Sequence, residues 1–169
     1  TQIKQWVSAG SPGPTEADLS KASALANPEI VARWEAFLNQ PDAQHQLVSR
    51  YIFDHVYLST LALDESTGEA FKLVRSKTAG NSLKEVAAGK PTPKVVVIET
   101  PHPYDNPMTY AGVDQFYYRL QKMTSRPVQK NHFIWQLWQS DIAHLESVFF
   151  ARKWARDDAF DDYLVDCRW

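Results

Sequence analysis

The sequence predicts an α+β domain, with a helical N-terminal part followed by a small, mostly antiparallel sheet and C-terminal helices. Two observations carry this. Up to Gly68, apolar residues recur at spacings of three and four, the period of helices with one buried face; beyond it, short runs alternate or are β-branched, as strands are. Helices, then strands, then helices are the order of an α+β fold. At 169 residues and 44% hydrophobic, the chain can bury a core without metal or disulfide support.

The elements follow in order. Ile3 to Gly10 reads as a short helix stopped by glycine, and Ser11-Pro12-Gly13-Pro14 as a break. This predicts that residues 1–14 are a linker or the tail of an upstream module and that residues 15–169 are a single domain. Thr15-Glu16-Ala17-Asp18 is a helix start, and Asn27-Pro28-Glu29 supplies a cap and a first-turn proline for a helix through Leu38. Pro41 opens another helix, in which Leu47, Val48, Tyr51, Ile52, His55, Val56 and Leu58 are expected to form a buried stripe. Phe71, Leu73 and Arg75 alternate with Lys72, Val74 and Ser76, predicting a half-exposed strand; residues 94–98 predict a buried one. Between them, residues 82–89 predict a short helix with a glycine stop. Three prolines make residues 100–108 a stiff loop. Residues 115–120 and 128–135 are further strand candidates, and helices are expected from Ser140 and over residues 155–164.

A formal charge of -2 gives no global field to attract nucleic acid, and none is expected as a partner. No apolar run approaches the roughly 20 residues needed to cross a bilayer. The six glycines form neither Gly-x-Gly nor Gly-x-Ser-x-Gly, so nucleotide-binding and serine-hydrolase readings have no support. No His-x-x-x-His or similar ligand spacing exists, and no metal site is expected, although a metal-dependent enzyme built on the histidines stays open as an alternative.

The candidate site residues are polar groups inside aromatic words. His55, near Tyr51 and Asp54, is either a hydrogen-bonded core histidine or a group facing a cofactor. Lys130 and His132, two apart on a predicted strand, share one face and suit a carboxylate or phosphate ester, or are simply solvated. His102, between prolines, is either a turn residue or part of a loop site. Arg50, Arg75 and Arg119 each sit in apolar surroundings, where a guanidinium is internally paired, with Asp54 or Asp105 for instance, or clamps a headgroup. Tyr57, Tyr104, Tyr117, Tyr118 and the six tryptophans are amphipathic rings suited to core packing, a porphyrin rim or a membrane interface.

Five of these words occur in a fixed order. They are Arg50-Tyr51-Ile52-Phe53-Asp54-His55-Val56-Tyr57-Leu58, Phe71-Lys72-Leu73-Val74-Arg75-Ser76-Lys77-Thr78, Pro103-Tyr104-Asp105-Asn106-Pro107, Phe116-Tyr117-Tyr118-Arg119-Leu120 and Gln129-Lys130-Asn131-His132. Together they resemble the bacterial fatty acid cis/trans isomerases, the resemblance running from about residue 34 to residue 132.

That resemblance implies a periplasmic c-type cytochrome that converts cis double bonds of membrane phospholipid acyl chains to trans, stiffening the membrane under stress. It implies haem c as cofactor, with oxidised iron drawing electron density from the double bond so that the chain can rotate. Its haem attachment sequence, Cys-x-x-Cys-His, is absent here, where the sole cysteine is Cys167, followed by Arg168 and Trp169. The chain is therefore expected to be a piece of the parent enzyme lying beyond the haem module, inactive alone and supplying acyl-chain access or a haem cover. The upstream haem module and membrane acyl chains are the expected partners. On this reading His55, Tyr118 and His132 are catalytic, and Arg50, Arg75, Tyr104, Arg119 and Lys130 bind substrate, with His55, Arg75, Tyr118 and His132 converging on one cavity. A non-catalytic module that docks on the haem domain or a membrane is the competing reading.

Overall fold

The computed structural model describes residues 2–64, 66–124 and 134–151. Within them the fold is α+β, as the periodicity predicts. Helices α1 (Gln2–Ser8), α2 (Glu16–Ser23), α3 (Pro28–Leu38) and α4 (Ala43–Val56) precede strands β1 (Thr60–Ala62) and β2 (Phe71–Ser76). Helices α5 (Leu83–Ala87) and α6 (Pro107–Tyr110) follow, then β3 (Tyr117–Lys122), β4 (Ile134–Gln136), α7 (Gln139–Leu145) and a π-helical turn over Glu146–Phe150.

The helix starts are written in local chemistry. Thr15 and Asp18 form a reciprocal capping box at α2, and Ser82 and Glu85 form another at α5. Asn27 accepts from the Ile30 amide while Pro28 occupies the first turn of α3. Gly89, at φ +70°, follows α5 in the left-handed conformation that ends helices.

The sheet order is β3-β2-β1-β4, with β2 antiparallel to β1 and β3, and β4 parallel to β1. The core lies between the sheet and α3 and α4: Val31, Trp34, Phe37 and Leu38 meet Val48, Phe53 and Val56 against Leu61, Phe71, Leu73 and Leu120. Burying each of the larger of these side chains stabilises by about 1.5–3 kcal/mol. Strand β3 is a sheet edge, and α3 covers it. Glu35 accepts from the Leu120 amide at 2.9 Å and Asn39 accepts from the Tyr118 amide at 2.8 Å, so two residues one helical turn apart stand in for a missing strand.

Three sequence expectations are corrected. The buried face of α4 consists of Val48, Ser49, Arg50, Phe53 and Val56, whereas Tyr51, His55 and Leu58 are exposed. The helix rotates this way because Arg50 finds the Tyr104 carbonyl and Phe53 enters the core. Residues 94–98 do not form a buried strand: one antiparallel bridge joins Val97 to Ser76, Val96 and Val97 are exposed, and Ile98 alone is buried. Prolines at 91, 93, 101 and 103 remove ladder donors on both sides of the run. The loop at residues 100–108 gives way at Pro107 to α6, whose start Asn106 caps. Of the expected strand over residues 128–135, only the end lies within the described residues, and the helix at 155–164 lies outside them.

Candidate functional site

Arg50, on the buried face of α4, donates from Nη2 to the Tyr104 carbonyl at 2.7 Å. Arg75, near the end of β2, donates from Nη1 to the Asp105 carbonyl at 2.8 Å and from Nη2 to the Pro103 carbonyl. Three successive carbonyls of one proline-rich loop thus face two guanidiniums. The sequence favours this, since Pro103 and Pro107 keep the loop out of a ladder and leave its carbonyls available to side chains.

Arg75 is 2% exposed, and its Cζ lies 4.4 Å from the Phe53 ring centroid and 5.7 Å from that of Phe116. Tyr118 sits directly opposite it in the β2–β3 register. Burial pushes the Tyr118 phenol up to about 12, partly offset by the Arg75 guanidinium, so it is a protonated donor at neutral pH. Asp54, one turn along α4, places Oδ2 3.7 Å from Arg50 Nε. Burial raises its carboxyl, opposed by the charges of Arg50 and Arg75.

Arg50, Arg75 and Tyr118 border a cavity of about 280 Å³ between the end of α3, α4, β2, β3 and the proline-rich loop. Arg50, Arg75, Tyr118 and Asn106 are its buried polar lining; Leu38, Pro107, Met108, Phe116 and Tyr117 are its apolar and aromatic wall. Met108, Gln46 and Gln115 are exposed and mark the mouth. A small cleft with an apolar wall and a few converging polar groups is the general form of a ligand site, here just below the usual volumes of roughly 300–1,000 Å³.

The structure brings Arg50, Arg75 and Tyr118 together and separates the rest. His55 is exposed on the opposite side of α4: its Nδ1 lies 2.7 Å from the Tyr51 carbonyl and its ring packs on that of Tyr51, with centroids 4.2 Å apart. It does not line the cavity, so the expected convergence of His55 with Arg75 and Tyr118 is corrected. Tyr104 contributes its carbonyl, while its exposed ring stacks on His102 at 5.5 Å. Arg119 belongs to the core: it donates from Nε to Glu35 at 2.9 Å and from its terminal nitrogens to the carbonyls of Thr78, Ala79 and Pro93. It acts as a structural clamp and does not line the cavity. Lys130 and His132 lie outside the described residues.

Sequence reasoning missed Asn106, Met108 and Glu35. The Asn-Pro pair at 106–107 repeats the cap signal read at 27–28, and Glu35 is a carboxylate among the apolar residues of α3; both signals were present. Among the described residues no group of three or more His, Cys, Asp or Glu side chains is placed to hold a metal ion, and no helix is long and apolar enough to cross a membrane.

The fold and cavity define a small α+β domain with an amphipathic ligand cleft. A family model described as fatty acid cis/trans isomerase matches residues 1–168, and the chain belongs to that family. No curated protein and no solved structure matches it.

Proposed function

We propose that the chain takes part in haem-dependent cis/trans isomerisation of unsaturated acyl chains of membrane phospholipids in the periplasm, and that its own contribution is acyl-chain access. The observation that carries this is the cavity itself, whose apolar wall of Leu38, Pro107, Met108, Phe116 and Tyr117 lies beside buried cations in a chain of the isomerase family. Such a wall removes the chain from water, and binding in one orientation fixes which bond is presented.

Haem c does not fit this chain's own residues. Covalent attachment takes two thiols and an adjacent histidine, and only Cys167 is present. His55, the described histidine of the aromatic words, is solvent-facing and tied to a backbone carbonyl. The haem is accordingly assigned to an upstream module of the same protein, and no chemical step is assigned to a residue of this domain. The domain's partners on this reading are that module and the membrane acyl chains.

Gas chromatography of fatty acids from cells carrying the full-length enzyme tests the reading. Met108→Trp, at the cavity mouth, should cut the trans/cis ratio about tenfold while leaving stability within about 0.5 kcal/mol, as expected for a surface change. A wild-type ratio in that variant would remove the cavity from the reaction.

A further inference from the structure

The polar lining of the cavity says which end of a ligand it takes. Arg75 is almost wholly buried, yet it makes no ion pair among the described residues. Its two terminal nitrogens are committed to the carbonyls of Pro103 and Asp105, which solvate the charge without neutralising it. Its Nε has no hydrogen-bond partner among the described residues. Arg50, in the same lining, lies 3.7 Å from Asp54, the carboxyl on which the charges of both guanidiniums act. Asp105, the carboxylate in the cavity lining, forms no ion pair with either guanidinium among the described residues. Buried charges ordinarily have partners of opposite sign.

We propose that Arg75, with Arg50 beside it and the Tyr118 hydroxyl opposite, seats the anionic oxygen headgroup of an acyl-chain amphiphile, whose hydrocarbon lies along Pro107, Met108, Phe116 and Tyr117. The headgroup is a carboxylate or a phosphate ester, since both present the oxygens that a guanidinium binds. The loop carbonyls hold the Arg75 fork in place before any ligand arrives, so the site is preorganised. This deepens the acyl-chain reading above and rests on it. The sources of the anion are a free fatty acid and a phospholipid.

The test is calorimetric titration of the purified chain with decanoate and with methyl decanoate, below their aggregation limits. Neither has a carbon–carbon double bond, so the outcome is separate from whether the protein isomerises anything. Decanoate should bind at least about tenfold more tightly than the ester, the difference expected for one charge-assisted hydrogen bond. Gln115→Glu, which adds a negative charge at the mouth, should weaken decanoate several-fold with the melting temperature unchanged. Dihexanoylphosphatidylglycerol then decides the source: displacement of decanoate assigns the seat to a phospholipid headgroup, and failure to displace assigns it to a free fatty acid. Equal binding of acid and ester, or no binding of decanoate, overturns the proposal. No Arg75 variant is needed for the comparison, so a folding defect cannot obscure it.

Discussion

Glu35 and Arg119 meet at 2.9 Å inside the core, with side chains 6% and 1% exposed, joining α3 to β3. The same Glu35 oxygen accepts from the Leu120 amide, so one carboxylate serves a buried cation and a sheet edge. Burial raises the Glu35 carboxyl against the attraction of Arg119. Glu35→Ala strands both a buried guanidinium and a strand amide, and should cost about 3–5 kcal/mol. Glu35→Gln keeps an acceptor and should cost less. Urea unfolding of both variants checks the order; equal stability of Glu35→Ala and wild type would refute the clamp.

Gly80 is required by that same pair. A Cβ at this position would lie 1.9 Å from Glu35 Oε2, an impossible approach, and Glu35 cannot swing aside without releasing Arg119 and Leu120. Gly80→Ala should therefore destabilise by about 1–3 kcal/mol, in the range of overpacking in a closed core. A melting temperature equal to or above wild type would show that the 78–80 loop can move away.

The Tyr118 phenol offers a pH signature. Its folded value, about 12, is above the ordinary 10.0, so the folded state keeps this proton longer than the unfolded chain does. The stability it contributes is fully present below pH 10 and is lost as pH rises towards 12. Absorbance titration of phenolate should show one of the seven tyrosines ionising late, and Tyr118→Phe should remove that late component. Its persistence in Tyr118→Phe would assign it to another residue.

His55 tests the geometric separation of the aromatic words. Because its ring is solvent-facing and apart from the cavity, His55→Ala should change stability by less than about 0.5 kcal/mol and leave decanoate affinity unaltered. Loss of affinity in this variant would return His55 to the site.

The contrast between His55 and Arg50 shows where sequence reading succeeds. Caps and stops at Thr15, Asn27, Ser82 and Gly89 are local, and their residues alone predict them. The face that α4 buries is not local. Hydropathy favours Tyr51 inside, and the structure instead exposes it and buries Ser49 and Arg50, because the Tyr104 carbonyl, more than fifty residues away, accepts from the guanidinium. The three arginines read alike in sequence for the same reason. Arg119 meets a carboxylate on α3, Arg75 meets backbone carbonyls, and only the fold separates a core clamp from a cavity lining. Strand β1 was also missed, since three residues, Thr60–Ala62, are too few to show a period.

On the proposed reading the cavity receives the acyl chain. Photo-crosslinking of the purified chain with a fatty acid carrying a diazirine midway along its hydrocarbon, followed by peptide mass mapping, reads this out directly. The labels should fall on the segment from Pro107 to Tyr117 and around Leu38, and excess unlabelled decanoate should suppress them. Labels confined to α1 or to the exposed face of α5, unaffected by decanoate, would place the acyl chain outside the cavity.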